Sequence, residues 1–172
     1  MAETIAANKL MENIITHGEK DIINQYLEIL RINGTDITGG DVVTREGETS
    51  PDIDLRGSGE AVEGIVLEYA SEADKKASYS LGVTIADNAL AKVLRRTGGR
   101  VRVQVVCDRS ATTTPGSAEI EVGTPIFASD TDAGKVTIAA PSDNAAAQEA
   151  FIGYAAKNYA AASADIVIEV NY

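Results

Sequence analysis

Few side chains in this sequence could carry catalytic or metal chemistry. There is a single histidine, His17, and a single cysteine, Cys107, so a histidine-rich metal centre, an intrachain disulfide and a cysteine-rich zinc site are excluded by count. His17 precedes Gly18 at the end of a predicted helix, where it would interact with the helix dipole. Cys107 follows a valine-rich run, which favours a buried apolar role over a reactive thiol.

Two pairs of aspartates have the spacing of possible acid–base or calcium-binding groups. Asp52 with Asp54, and Asp130 with Asp132, could serve a hydrolase or bind calcium. Turn-forming residues surround both pairs, which favours solvated loop acids over a site. The run from Asp130 to Gly134 also lacks the bidentate glutamate of a calcium loop. We therefore expect no enzyme and no cofactor or metal; a carboxylate hydrolase is the remaining enzymatic alternative.

Basic residues are concentrated in one segment of an otherwise acidic chain. Six of the fifteen are Lys92, Arg95, Arg96, Arg100, Arg102 and Arg109. Arg100 and Arg102 alternate with valines, so both are predicted on the outer face of one strand. Two interpretations stay open. The cluster engages an acidic partner surface, such as segment 46–74 of another copy, or it is a solvated strand face paired with local acids.

The composition restricts the class of protein and of partner. The 172 residues carry a net charge of −11, and 44% are hydrophobic, which is enough for one domain with a core. The acidic balance disfavours nucleic acid and anionic membranes as partners. No apolar run approaches the roughly 20 residues of a membrane-spanning helix, and the first residues lack the layout of a signal peptide. We expect a soluble protein made in a cytoplasm.

The first third of the chain begins with two helical patterns. Apolar residues recur at a helical period over 3–17 and 19–31, which predicts two amphipathic helices. Segment 1–34 is thus predicted as a helical leader that either docks on a neighbouring subunit or packs on the body of its own chain. The candidate interaction residues of the leader and the basic segment are Ile5, Leu10, Met11, Ile14, Ile22, Tyr26, Arg95, Arg96, Arg100 and Arg102.

Beyond Gly34 the pattern changes to short strands separated by turns. Val101 to Cys107 alternates and is the clearest strand, whereas 86–96 fits a helix or a strand. A short helix is predicted near 145–150, followed by a final strand pair at 151–156 and 165–170. We predict a mainly β fold, a small antiparallel β-barrel or sandwich over 35–172, with the N-terminal helical leader.

Short motifs in a characteristic order carry a family resemblance. They are Gly40-Asp-Val-Val43, Gly64-Ile-Val-Leu-Glu-Tyr-Ala70, Gly123-Thr-Pro-Ile-Phe127, Gly134-Lys-Val-Thr137, Ile152-Gly-Tyr-Ala155 and Asp165-Ile-Val-Ile-Glu-Val170. By this order, residues 39–172 resemble the head-decoration, or capsid cement, proteins of tailed viruses, the type that stabilises the phage lambda head. The leader and the basic segment 86–109 depart from the family pattern.

The resemblance implies a structural role in a virion. It implies a capsid decoration subunit without enzymatic activity that binds the outer capsid surface and stabilises the expanded shell. The implied partners are the major capsid protein and further copies of the chain, as a homo-oligomer, specifically a trimer. The implied location is the virion capsid surface. Another virion component, such as a tail or minor capsid protein, and a small oligomeric ligand-binding β module are the alternatives.

Overall fold

The protein consists of thirteen described strands and one described helix. The computed structural model describes residues 14–16, 26–47, 50–69, 84–99, 101–109 and 118–172. The strands are β1 Ile14–Thr16, β2 Leu27–Ile32, β3 Ile37–Thr38, β4 Val42–Arg45, β5 Asp52–Leu55, β6 Gly64–Tyr69, β7 Thr84–Ile85, β8 Leu90–Leu94, β9 Val101–Cys107, β10 Pro125–Ala128, β11 Val136–Thr137, β12 Phe151–Ala155 and β13 Ile166–Asn171. The helix, α1, is Asn144–Ala150.

Five strands close into a first barrel in the order β2-β5-β4-β6-β8. The β2–β5 pairing is parallel and the others are antiparallel. Alternate residues of β2 are buried, Leu30 and Ile32, with exposed Arg31 between them. The two-stranded sheet β3–β7 adds Ile37 and Ile85 to the same core. The first barrel is therefore filled by aliphatic side chains, as a chain without tryptophan requires.

The second sheet is organised around β9, whose valines and Cys107 are buried at every second position. This strand pairs with β13 over most of its length, with β1 at Val101–Val103, and in parallel with β11 at Cys107. With the pairings β11–β10, β10–β12 and β12–β13, the strands β9, β11, β10, β12 and β13 form a second closed circuit. The chain is thus a two-barrel β protein.

Polar and apolar contacts both join the barrels. Val42, Ile65 and Leu94 of the first barrel belong to the same buried cluster as the β9 valines. The Val42 N–H donates to the Gly134 carbonyl, and the Gly134 N–H donates to the Arg56 carbonyl. A Cβ on Gly134 would lie 2.7 Å from Leu55, so the turn before β11 fits closely against the first barrel.

Arg56 is the buried polar centre of this junction. Its side chain is 1% exposed. The Nε donates to the Glu60 carbonyl, while Nη1 donates to the Ser129 carbonyl at 3.0 Å and to Asp130 Oδ1 at 2.5 Å. Because these acceptors come from both barrels, the guanidinium ties the two barrels together.

The structure confirms the mainly β class and a closed five-stranded barrel. The predicted strand at Val101–Cys107, the helix near 145–150 and the final antiparallel strand pair are also present. Segment 86–96 contributes strand β8 rather than a helix. The expectation of a wholly antiparallel barrel was wrong, because β2 pairs with β5 in parallel.

The helical prediction was wrong for two parts of the N-terminal segment. Ile14–Thr16 and Leu27–Ile32 are strands, Tyr26 is helical, and the remainder of the two predicted helices lies outside the described residues. The spacing of apolar residues around Leu30 also fits a strand, and burial of Leu30 and Ile32 inside the barrel decides the conformation. The predicted domain boundary at residue 34 therefore falls after β2, although β2 is a strand of the first barrel.

Candidate interaction surface

Three aromatic rings lie together in the second barrel, running from the buried Phe127 through the half-buried Phe151 to the exposed Tyr154. In the β10–β12 pairing, Pro125 lies opposite Tyr154, and a bulge after Ile126 brings Phe127 opposite Phe151. The centroid of the Phe151 ring lies 5.9 Å from that of Phe127 and 5.2 Å from that of Tyr154, both edge-to-face. Tyr154 is 52% exposed. Both phenylalanines of the chain are therefore at this one place.

Arg96 completes this aromatic surface from the first barrel. It lies just beyond β8, and its guanidinium carbon is 5.6 Å from the centroid of the Phe151 ring, a cation–π geometry. Its Nη2 also donates a hydrogen bond to the Phe151 carbonyl. Within the described ranges, Arg96 has no carboxylate partner. An exposed cation is thus held in place over an apolar ring. We call Arg96, Pro125, Phe127, Phe151 and Tyr154 the aromatic–arginine surface.

Two hollows border the aromatic–arginine surface and share Arg96 and Phe151 as walls. The larger, about 520 Å³, is also lined by Pro125, Phe127 and Ala147. The smaller, about 220 Å³, extends past Gly98 and Tyr154. Aromatic and arginine side chains around such hollows are the composition of protein-binding hot spots.

Arg95, predicted as an interaction residue, is instead part of a network with its own chain. Its guanidinium contacts Glu28 at 2.6 Å and Glu63 at 2.8 Å, and Arg45 contacts the same two carboxylates at 3.2 and 2.5 Å. The hydrogen bond from Arg95 lowers the pKa of Glu28 below its ordinary value, and the charge of Arg45 acts in the same direction. For Arg95 the interpretation as a strand-end cation paired with local acids is confirmed.

The other predicted interaction residues that the structure describes lie beside one another in two places: the Tyr26 carbonyl accepts from the Arg95 N–H, and Ile14 lies in β1, which pairs with β9 at Arg102. Arg102 is half-buried, with its Nε donating to Asn171 and Nη1 3.6 Å from Glu169. Tyr26 is partly buried against the core. Outside the described residues lie Ile5, Leu10, Met11, Ile22 and Arg100. Of the ten predicted residues, only Arg96 is placed on the aromatic–arginine surface.

Sequence reasoning missed Pro125, Phe127, Phe151 and Tyr154. A usable signal was present, because both phenylalanines of a chain with very few aromatic residues lie in or beside two of the motifs. Recognising these residues as one site required the β10–β12 register, which cannot be predicted from a local sequence pattern.

Three of the four candidate acid–base groups are engaged in ion pairs, and the fourth, Asp54, accepts a hydrogen bond from the Leu55 N–H. Asp52 pairs with Arg31 at 2.7 Å, Asp130 with the buried Arg56, and Asp132 with Lys135. In the part of the chain that the structure describes, no group of three or more histidine, cysteine or acidic side chains could hold a metal ion. Burial raises the pKa of the Cys107 thiol to about 11.

No family model matches this chain, and no curated protein matches it. Among the described residues, no helix has the length and apolar character needed to cross a bilayer.

Proposed function

We propose that this protein is a virion structural protein, a capsid decoration or cement subunit that binds the outer surface of the capsid and stabilises the expanded shell. It acts without catalysis, as a homo-oligomer, and its main partner is the major capsid protein. The part of the predicted leader 1–34 that precedes β2 serves as an interaction arm.

The observation that carries this proposal is the pairing of the motifs that underlie the family resemblance. Gly40-Asp-Val-Val43 and the strand that begins at Gly64 pair directly, with Val42 opposite Ile65. Gly123-Thr-Pro-Ile-Phe127 pairs with Ile152-Gly-Tyr-Ala155, with Pro125 opposite Tyr154. Motifs that are distant in the sequence are thus neighbours in the two barrels, which supports the interpretation that they form one architecture, as the resemblance implies.

The architecture suits a role in which many copies each make a modest contact. Each strand of the first barrel has two partners, so that barrel offers no free edge for adding a strand. Contact between the first barrel and a shell must then be made through faces and side chains, and the aromatic–arginine surface, to which this barrel contributes Arg96, supplies such a face. Repetition over a capsid lattice makes contacts of this size collectively strong.

A small ligand-binding module is the second candidate function. The hollow of about 520 Å³ between Phe127, Phe151 and Arg96 favours it, because this volume lies within the range of small-molecule sites. A ligand module should bind a small molecule there without any capsid being present.

Co-sedimentation with naked expanded capsids of the source virus tests the cement proposal. The full-length chain should bind to saturation, and removing residues 1–13, which precede β1, should weaken binding if the arm takes part. A truncation at residue 33 is unsuitable because it would delete the barrel strand β2. Absence of saturable binding by the full-length chain would overturn the proposal.

A further inference from the structure

We infer that the aromatic–arginine surface binds an extended segment of a partner protein in which an acidic side chain stands two residues from an apolar one, on the same face of the segment. This inference rests on the proposed binding function, but it does not depend on which assembly the partner belongs to. It names the chemistry of the partner segment, which the family resemblance leaves open.

Arg96 has no carboxylate partner among the described residues, which favours an acidic group on the partner. The chain carries a net charge of −11, and Arg31, Arg45, Arg56 and Arg95 each contact at least one carboxylate. Arg96 is exposed, and within the described residues its side chain contacts only the ring and the carbonyl of Phe151. A carboxylate from outside the chain would complete its hydrogen bonding, and charge-assisted bonds of this kind are strong.

The shape of the surface favours an extended segment over a compact ligand. Two separate hollows share the Arg96–Phe151 wall, one of about 520 Å³ and one of about 220 Å³. Side chains two residues apart in one strand-like segment point to the same face, so one can enter the larger hollow while the other reaches the guanidinium. The apolar side chain is expected against Phe127 and Pro125.

The surface is also pre-organised for binding. Phe151 lies at the first position of β12, and Arg96 is held by its hydrogen bond to the Phe151 carbonyl. Holding both groups in place before binding lowers the entropy that association must overcome. A nucleic acid is a poor match for a single exposed arginine on an acidic protein, because phosphate backbones require several cations.

NMR titration of the full-length protein with short synthetic peptides tests this inference. The probes are an extended peptide in which leucine and glutamate stand two residues apart, separated by threonine, so that both lie on one face, and two matched peptides in which glutamine or lysine replaces glutamate. The glutamate peptide should shift the signals of the Arg96 side chain and of the amides around Phe151 and Tyr154, with an affinity about tenfold higher than that of the glutamine peptide.

Variants make the test specific for the charge at Arg96. Arg96→Gln should weaken binding of the glutamate peptide about tenfold, and Arg96→Glu should reverse the preference toward the lysine peptide. The matched control Arg31→Gln removes an exposed arginine from the first barrel and should leave peptide binding unchanged. Equal affinity for the three peptides, or shifts that avoid this surface, would overturn the inference. So would shifts that depend on protein concentration without peptide, which would assign the surface to a second copy.

The outcomes separate this inference from the cement proposal. Peptide binding with the predicted charge preference but no binding to capsids would keep the partner chemistry and reject the cement role. Saturable capsid binding that is unaffected by Arg96→Glu would keep the cement role and reject this surface as its contact.

Discussion

The guanidinium carbon of Arg96 lies 5.6 Å from the centroid of the Phe151 ring. The two residues belong to different barrels, since Arg96 follows β8 and Phe151 begins β12. Phe151 in turn contacts the rings of Phe127 and Tyr154. One contact therefore links the barrels and creates the exposed surface on which the proposed binding depends.

Tyr154→Ser should weaken binding without unfolding the protein. Tyr154 is 52% exposed and contributes one edge of the aromatic–arginine surface. The free energy of unfolding should change by no more than about 1 kcal/mol, whereas capsid co-sedimentation should be strongly reduced, because aromatic residues dominate interface energies. Urea unfolding and co-sedimentation measure the two effects.

Val167→Ser is the matched control for this substitution. Val167 is also an exposed apolar residue of the second barrel, at 45%, but it lies in β13 outside the aromatic–arginine surface. Capsid binding should be retained in this variant. Equal loss of binding in both variants would show that general surface hydrophobicity, and not the aromatic–arginine surface, controls attachment.

Arg56→Met should strongly destabilise the junction between the barrels. The substitution removes the donors to the Glu60 and Ser129 carbonyls and leaves Asp130 without its partner. Each buried carbonyl left without its donor costs about 1–3 kcal/mol, whereas the 39% exposed Asp130 carboxylate can be solvated by water. Urea unfolding should show the loss, and the control Arg31→Met, which removes an exposed pair with Asp52, should show little change. Similar effects of the two substitutions would contradict the structural role of Arg56.

Local sequence patterns were sufficient where one physical cause determines the structure. The strict alternation from Val101 to Cys107 admits only a strand that is buried on one face, and this strand is the centre of the second sheet. The helix near 145–150 begins at Asp143, whose carboxylate accepts hydrogen bonds from the Ala145 and Ala146 N–H groups. Such features require no knowledge of distant partners.

Features that depend on long-range pairing could not be predicted in the same way. The residues around Leu30 satisfy a helical period and a strand period, and the parallel pairing of β2 with β5 selects the strand. The basic residues were predicted to act as one cluster. In the structure, however, Arg95 pairs with Glu28 and Glu63, while Arg96, the next residue, stacks on Phe151. Only the tertiary fold distinguishes these two neighbours.

Gly64→Ala and Gly153→Ala should each disrupt one barrel. A Cβ at Gly64 would lie 2.5 Å from the Leu94 carbonyl oxygen, and one at Gly153 would lie 2.1 Å from the Asn171 carbonyl oxygen. Because both obstacles are backbone atoms of the neighbouring strand, the strands would have to separate. We expect a loss of about 3 kcal/mol or more in each variant, measured by thermal or urea unfolding.

Gly59→Asn is a suitable control for the two glycine substitutions. Gly59 has a φ of +74°, and nothing lies within 4 Å of a Cβ built there. Asparagine tolerates this left-handed conformation better than most residues, so the loss should be much smaller. A loss at Gly59 as large as that at Gly153 would mean that conformational freedom of glycine, and not close strand approach, explains the effects.

Asp41 should make the stability of the protein depend on pH in the direction opposite to that of most carboxylates. Burial raises its pKa to about 6, and the nearby Asp132 charge acts in the same direction, although the Thr38 N–H and Lys135 oppose the shift. In the unfolded chain an aspartate has a pKa of about 4. Between these two values the native state binds more protons than the unfolded state, so stability falls as the pH rises from about 4 to about 6.

Asp41→Asn tests this pH dependence directly. The asparagine carbonyl can still accept the Thr38 N–H, which Asp41 accepts at 2.8 Å, but it cannot ionise. Relative to the wild-type protein, the variant should gain about 2 kcal/mol in the free energy of unfolding between pH about 4 and pH about 7. Urea unfolding of both proteins over this pH range measures this gap, the difference between their free energies of unfolding. A gap that stays constant with pH would show that the Asp41 carboxyl has the same pKa in both states; a gap that shrinks would show that the folded protein stabilises the charged form.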